Sequence, residues 1–150
     1  MRVYLDTSIF GGFFDKEFRK ETKRLFELFE QEKLSPVISA ITVDELYEGA
    51  PERVIQLLTS LKATKLETLE LTENCELLAD KYIEEKVVSE KYFEDALHVA
   101  ISTVYKVDVL VSWNFKHIVN LNRIEGFNIV NNSLNYDEIE IRSPKEFYYG

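Results

Sequence analysis

Short apolar segments typical of strands alternate with amphipathic segments typical of helices along this chain, and no other feature constrains its fold as strongly. The strand-like segments have suitable length and β-branched or aromatic content. They are residues 1–6, 34–40, 66–71, 107–112 and 127–130. Strands that alternate with helices are typical of a parallel sheet covered on both faces. The sequence therefore predicts an α/β fold with a central parallel sheet of about five strands flanked by helices.

Capping and breaking residues set the expected limits of the helices. The predicted helices cover about 15–33, 42–47, 51–62, 72–86 and 89–106, with Thr42, Thr72 and Ser89 as N-caps and Pro51 in a first turn. Gly11 and Gly12 predict a loose connection after the first strand. In the tail, residues 139–142 fit an edge strand.

Length and composition place the chain among single-domain globular proteins. Its 150 residues are 45% hydrophobic and 30% charged, which excludes disordered and collagen-like classes and predicts one domain over residues 1–150. Cys75 is the only cysteine, so neither an internal disulfide nor a multi-cysteine zinc site can form. No apolar stretch approaches the length of a membrane span, and a charged residue arrives too early for a signal-peptide core. We expect a cytoplasmic protein with no membrane partner.

The net charge of −9 excludes a broad basic surface for nucleic acid. Two interpretations remain open. Either the protein binds no nucleic acid, or bound cations and a local basic patch attract it. One basic cluster is available, made of Lys16, Arg19, Lys20, Lys23 and Arg24. It is either a solvated helix face or a patch that steers phosphates.

Polar side chains fall where the predicted strands end. Asp6 closes the first strand, Glu45 follows the second, and Asn114 lies two residues past the fourth, while Asp95 begins the helix before that strand. Ligands of open parallel sheets bind outside the carboxyl ends of the strands, so we expect these residues to converge. Clustered carboxylates repel one another unless a cation offsets their charge. Acids without histidine or cysteine partners favour Mg²⁺ or Mn²⁺ over zinc.

Simpler interpretations of the same residues stay open. Asp6 also fits a strand end, Asp44 competes with Glu45, and His98 fits either a metal ligand or, more commonly, a packed and hydrogen-bonded histidine. We expect His117 to lie in a surface loop. For four aromatic residues, core or interface packing is the first interpretation and base stacking the second. They are Trp113, Tyr136, Tyr148 and Tyr149.

Four segments surround these residues: Leu5-Asp6-Thr7-Ser8, Val43-Asp44-Glu45-Leu46, Glu94-Asp95-Ala96-Leu97-His98-Val99-Ala100 and Leu110-Val111-Ser112-Trp113-Asn114. Together they resemble the four motif blocks of the PIN-domain family, which includes the VapC toxins of bacterial and archaeal toxin–antitoxin pairs. Order and spacing match over residues 1 to about 130, which leaves a tail at 131–150.

The resemblance implies a Mg²⁺- or Mn²⁺-dependent endoribonuclease that hydrolyses RNA, is often a homodimer and is often held inactive by an antitoxin. By the motif match, Asp6, Glu45 and Asp95 fall on the acidic metal-site positions of the family, and Asn114 falls on the fourth catalytic position.

This chain departs from the family pattern at two positions. Active members usually carry Asp where this chain has Asn114, and many carry a second Asp where it has Lys116. The lost negative charge weakens a second metal site most. The alternative expectation is a weakly active or inactive PIN-fold protein that binds RNA or a protein partner.

Overall fold

The computed structural model describes residues 1–147, and a five-stranded sheet lies at its centre. The strands are β1 Arg2–Leu5, β2 Ser35–Ser39, β3 Glu67–Leu69, β4 Val109–Val111 and β5 Ile141–Arg142. Their order across the sheet is β3-β2-β1-β4-β5, and every neighbouring pair is parallel. The predicted α/β class and parallel sheet are confirmed.

Helices connect the strands and cover both faces of the sheet. They are α1 Thr7–Gly12, α2 Arg19–Glu30, α3 Ala40–Gly49, α4 Glu52–Lys62, α5 Glu73–Glu84, α6 Phe93–Val104 and α7 Leu121–Ser133, with short 3-10 turns at Glu90–Tyr92 and Pro144–Glu146. In the described part of the chain, none of these helices has the length and apolar character needed to cross a membrane.

The sheet separates two hydrophobic cores because successive strand side chains point to opposite faces. On β1, Tyr4 belongs to the core formed with α5, α6 and α7, whereas Val3 and Leu5 belong to the core formed with α1, α2, α3 and α4. All three side chains are fully buried. Cover on both faces of this central strand explains why three successive residues, Val3, Tyr4 and Leu5, are all hydrophobic.

The connection after β1 is a helix and not the loose segment predicted from its glycines. Helix α1 extends to Gly12, and a Cβ atom at that position would lie 2.6 Å from the Trp113 ring. The glycine therefore permits close packing of α1 against the indole. It does not loosen the chain.

The predicted strand at 127–130 is wrong, because these residues lie inside α7. The Asn120 side chain accepts a hydrogen bond from the Arg123 backbone N–H and begins this helix. Phe127 and Val130 are buried while Ile129 is 62% exposed, which is a helical and not a strand periodicity. The fifth strand is formed instead by Ile141–Arg142, inside the segment that fitted an edge strand.

The start of α3 also differs from the prediction. Ser39 is its N-cap, and Thr42, the third residue of the helix, completes a capping box in which the two side chains bond reciprocally to backbone N–H groups. The predicted start at Thr42 was therefore late. Ser39 is fully buried.

Candidate functional site

Strand order places the candidate residues at one edge of the sheet. The chain runs from β1 outward to β3 and then returns to β4 on the other side of β1, so the topology reverses between β1 and β4. Asp6 follows β1 and Asn114 follows β4 within three residues. Crevices at such reversal points are the usual ligand sites of open α/β sheets. The remaining acids reach this edge from α3 and α6.

Asp6 is buried and held by two serine hydroxyls. Ser8 Oγ donates to Asp6 Oδ1 at 2.6 Å, and Ser112 Oγ donates to Asp6 Oδ2 at 2.7 Å. Burial raises the pKa of Asp6 and the charge of Asp95 adds to this effect, whereas His98 and the two hydroxyls oppose it. The carboxylate is thus fixed in orientation at a cost in desolvation.

Glu45 faces a buried histidine. His98 Nε2 lies 2.7 Å from Glu45 Oε1, and the Glu45 side chain is 25% exposed. Burial alone would raise the pKa of Glu45, but the hydrogen bond and charge of His98 outweigh it and lower this pKa. Asp44 is exposed, so the structure turns Glu45, and not its competitor, toward the other acids.

Asp95 lies in the first turn of α6, half-buried, beside Asn114. Burial raises the pKa of the Asp95 carboxyl and Glu45 adds to the rise, while His98, His117 and a hydrogen bond from the Asn114 side chain lower it. The Asn114 Oδ1 accepts a hydrogen bond from the His117 backbone N–H at 3.0 Å. The Asn114 amide therefore bridges the loop after β4 to Asp95.

Negative charge in this cluster exceeds the positive charge that the chain supplies. Exposed Glu94 joins the group, since burial of its carboxyl and then the charge of Glu45 raise its pKa. Within residues 1–147, no lysine or arginine forms an ion pair with Asp6, Glu45, Glu94 or Asp95. Burial would lower the pKa of His98, but Tyr4, Glu45 and Asp6 raise it well above its usual range. The buried imidazole of His98 is thus the group that offsets part of the negative charge of these acids.

The residues present fit a hard divalent cation in chemical type. The donors are carboxylates, the oxygen ligands that a hard cation prefers, and burial followed by the charge of a neighbouring acid raises the pKa of Asp6 and of Asp95. Across residues 1–147, two buried side-chain polar atoms, Thr7 Oγ1 and His117 Nδ1, have no hydrogen bond of ordinary geometry, and both adjoin the cluster, with Thr7 facing Glu45 and His117 near Asp95. In the conformation described for these residues, no three His, Cys, Asp or Glu side chains are close enough to form a metal site. Ion binding would therefore require the carboxylates to move together.

The other predicted side chains have varied outcomes. His98 is 2% exposed and hydrogen-bonded on both nitrogens, in agreement with the packed interpretation. Trp113 packs in the core, stacked on Phe18 with ring centroids 4.1 Å apart. His117 lies in the loop after β4, as predicted, with a half-buried ring that stacks on Tyr92 at 3.6 Å. Half-buried Tyr136 packs against the core, and Tyr148 and Tyr149 lie outside the described residues.

Several residues of the site were not identified from the sequence. Ser8 and Ser112 hold Asp6, and Tyr4 contacts His98. Ser112 carried a usable signal, since it is the first polar residue after the apolar β4. Tyr4 carried none, because a tyrosine in a buried strand is indistinguishable from a core aromatic until its partner is known.

The basic cluster lies beside the loop that carries Asn114. Phe18 stacks on Trp113, and the Trp113 indole N–H donates to Thr22 Oγ1 at 2.9 Å, so the first turn of α2 is anchored to that loop. Lys16, Arg19, Lys20, Lys23 and Arg24 are all exposed. The helix that carries most of the cluster is thus packed against the loop of Asn114.

Comparison with known proteins supports the same architecture. A family model described as "PIN domain" matches residues 3–140. No curated protein matches this chain in sequence.

Solved structures show the same fold at low identity. VapBC2 from Rickettsia felis, solved bound to a promoter DNA fragment, is 17% identical with a TM-score of 0.61, covering 95% of this chain and 98% of its own. VapBC-1 from nontypeable Haemophilus influenzae is 17% identical with a TM-score of 0.62, covering 97% and 100%. Mycobacterium tuberculosis VapC20, described as a Sarcin-Ricin loop cleaving toxin, is 14% identical with a TM-score of 0.58, covering 77% and 92%. These likenesses show the fold, and with the family match they establish that the chain belongs to the PIN domain family.

Proposed function

We propose that this protein is a Mg²⁺- or Mn²⁺-dependent endoribonuclease that hydrolyses RNA phosphodiester bonds and is the toxin of a toxin–antitoxin pair. The observation that carries the proposal is the gathering of Asp6, Glu45 and Asp95 at the reversal point of a PIN-domain sheet, with no lysine or arginine of residues 1–147 paired to them. Acids in that position without a lysine or arginine partner are costly to the fold and useful for holding a cation.

Each residue has a proposed role. Asp6, Glu45 and Asp95 hold the ion, and the two serines keep the Asp6 carboxylate in one orientation. When bound, a divalent ion supplies charge neutralisation at the phosphodiester and lowers the pKa of water, which is the proposed nucleophile. The side chain of Asn114 offers both a carbonyl oxygen and an amide group at the fourth position. Since that carbonyl already accepts from His117 N, we assign Asn114 the orientation of Asp95 through its amide group.

The substrate must approach a protein of net charge −9. Exposed cations next to the acidic edge offer a local route, because phosphates are attracted over about one Debye length, roughly 8 Å at physiological salt. The basic cluster at the start of α2 is anchored by Phe18 to the loop of Asn114, which supports a role in steering RNA phosphates toward the acids.

The proposed protein partners are a cognate antitoxin and a second copy of the chain. Two of the similar structures are described as VapBC proteins, and another, from Klebsiella pneumoniae, is described as a toxin–antitoxin complex. Light scattering at micromolar concentration should report twice 17.6 kDa for a homodimer. Growth arrest on expression, relieved by the gene product encoded next to it, would support the antitoxin. A monomer in light scattering would contradict the homodimer, and expression without growth arrest would contradict the antitoxin.

A second candidate is a weakly active or inactive PIN-fold protein that binds RNA or a protein partner. The neutral side chain of Asn114 and the strongly negative net charge favour it. Both candidates predict a folded protein that recognises a partner. Only the nuclease requires a cation.

An RNA-cleavage assay with Mg²⁺ and with Mn²⁺ separates the two candidates. The native protein should cleave in the presence of either ion and not in the presence of a chelator. Asp6→Ala should reduce cleavage to background while the protein remains folded. Cleavage that is equal in the native protein and in Asp6→Ala would contradict the proposed nuclease. RNA binding without cleavage would establish the second candidate.

A further inference from the structure

A buried chain of hydrogen bonds leads from the cap of α3 to Glu45. Ser39 Oγ lies 2.7 Å from the Tyr4 hydroxyl, which lies 2.7 Å from His98 Nδ1, and His98 Nε2 lies 2.7 Å from Glu45 Oε1. Tyr4 and Ser39 are fully buried and His98 is 2% exposed. Such short contacts in a dry environment are strong and geometrically restrictive.

The direction of the last bond follows from the chemistry of its acceptor. A carboxylate that binds a cation is ionised and has no proton to donate, so Glu45 accepts the bond at 2.7 Å from His98. Nε2 of His98 therefore carries a proton and donates it to Oε1. The Tyr4 hydroxyl at Nδ1 holds the other side of the ring, so the imidazole cannot turn away from Glu45 without breaking two bonds.

The chain of hydrogen bonds begins and ends on the same helix, α3, which also carries Glu45. Ser39 is the N-cap of α3, and Glu45 lies in the same helix. Tyr4 belongs to β1 and His98 to α6, so the bonds tie the α3 acid to the central strand and to the helix of Asp95. A phenylalanine at position 4 would fill the core as well, whereas a buried hydroxyl is unfavourable unless it is bonded. The hydroxyl therefore has a structural use beyond packing.

We propose that His98 and Tyr4 are positioning residues that hold the Glu45 carboxylate in one orientation for binding of a divalent cation. This inference rests on the proposed function, since it assumes that Glu45 is a metal ligand. Outer partners of ligating groups orient them, and loss of such a partner typically weakens metal affinity by about 10- to 100-fold.

The test compares two tyrosine-to-phenylalanine variants by titration calorimetry with Mn²⁺ alone. Tyr4→Phe removes the hydroxyl that holds His98, and we expect affinity for Mn²⁺ to fall about tenfold, the lower end for such partners. Tyr82→Phe is the matched control, because Tyr82 is also fully buried and its hydroxyl bonds to Asn131, which has no link to Glu45. This control should lose stability and keep its affinity for Mn²⁺.

Two substitutions of His98 separate positioning from packing. In His98→Gln, the new side-chain amide nitrogen can replace the Nε2 donor, whereas His98→Leu fills the space without a donor. We expect His98→Gln to recover most of the Mn²⁺ affinity that His98→Leu loses. Equal affinities in these two folded variants would assign His98 a purely structural role and overturn the inference.

The outcomes distinguish this inference from the proposed function. If the native protein binds no Mn²⁺, the proposed function fails and the inference fails with it. If the native protein binds Mn²⁺ and folded Tyr4→Phe binds it equally well, only the inference fails. A metal-free readout adds to this comparison, because nitrogen NMR should detect a slowly exchanging proton on His98 Nε2 that exchanges faster in Tyr4→Phe. An unchanged exchange rate would also overturn the inference.

Discussion

The acidic side chains at the two ends of the sheet differ in whether the chain supplies partners of positive charge. At the amino end, the Arg2 guanidinium donates to both carboxylate oxygens of Glu67 at 2.9 and 3.0 Å, and the Arg2 backbone N–H donates to Asp108 at 2.6 Å. At the carboxyl end, Asp6 and Asp95 have raised pKa values from burial, and no lysine or arginine within residues 1–147 pairs with them. The acids at the amino end are thus paired with Arg2, whereas those at the carboxyl end have no lysine or arginine partner within residues 1–147.

The difference indicates which acids belong to the fold and which to a site. Exposed ion pairs contribute little to stability, so the amino end is a modest structural feature. Buried acids that raise each other's pKa lower stability, and such arrangements concentrate at functional sites. This difference between the two ends supports the cation site that we propose at the carboxyl end.

The largest expected effect comes from one matched pair of substitutions. Asp95→Asn at the carboxyl end should reduce metal-dependent RNA cleavage at least about 100-fold, equivalent to about 2.7 kcal/mol of activation free energy. Asp108→Asn makes the same chemical change at the amino end and should leave cleavage unchanged. Without metal, Asp95→Asn should not lower the melting temperature, because it removes like-charge repulsion. Similar losses of cleavage in both variants would remove the distinction between the two ends.

Restoring charge at the fourth position should produce a smaller change. Asn114→Asp keeps an acceptor for the His117 N–H and replaces the amide that faces Asp95 with a like charge. Metal-free stability should fall, and Mg²⁺ affinity measured by calorimetry should rise about tenfold if the effective dielectric constant is near 20. Asn132→Asp, at an exposed position on α7, is the control. An unchanged Mg²⁺ affinity in Asn114→Asp would place residue 114 outside the influence of the metal.

Charge reversal in the basic cluster tests whether RNA approaches the carboxyl end. The double change Lys16→Glu/Lys20→Glu should weaken RNA binding and reduce its salt slope by roughly 0.7 per lost phosphate contact on single strands. Metal affinity should hardly change. Lys62→Glu/Lys65→Glu alters net charge equally at exposed positions next to the amino end of β3. Equal salt slopes for the two double variants would show that the basic cluster is only a solvated helix face.

The smallest effect is expected at the amino end itself. Glu67→Gln weakens the exposed ion pair with Arg2 and should cost about 0.2 to 1 kcal/mol of unfolding free energy. Urea denaturation measures this change, and Mn²⁺ affinity provides the second readout. A loss of Mn²⁺ affinity in this variant would show that the two ends are coupled.

Strand periodicity was enough to predict the parallel sheet, and the strand ends determine where Asp6 and Asn114 emerge. It failed at 127–130, where a short apolar run fits a strand and a helix equally until the Asn120 cap is recognised. Four helices also end without glycine, at left-handed residues that the sequence does not mark. These residues are Glu32, Lys86, Lys106 and Asn135.

The contacts that orient the acids were beyond sequence reasoning. Tyr4 and His98 are 94 residues apart, and Ser112 and Asp6 are 106 apart. Each looks like an ordinary core or turn residue in its own segment. Their pairing follows from sheet order, which a single sequence constrains only loosely.

Stabilisation by Mn²⁺ tests most directly whether the carboxyl end is built for a cation. At a concentration 100 times the dissociation constant, a ligand of the folded state adds about 2.7 kcal/mol. For a chain of this size that corresponds to a rise in melting temperature of roughly 5 to 10 °C. The native protein and the amino-end variant Glu67→Ala/Asp108→Ala should both show the rise, and Asp6→Ala/Asp95→Ala should not. Equal shifts in all three proteins, or no shift in the native protein, would contradict a cation site at this end of the sheet.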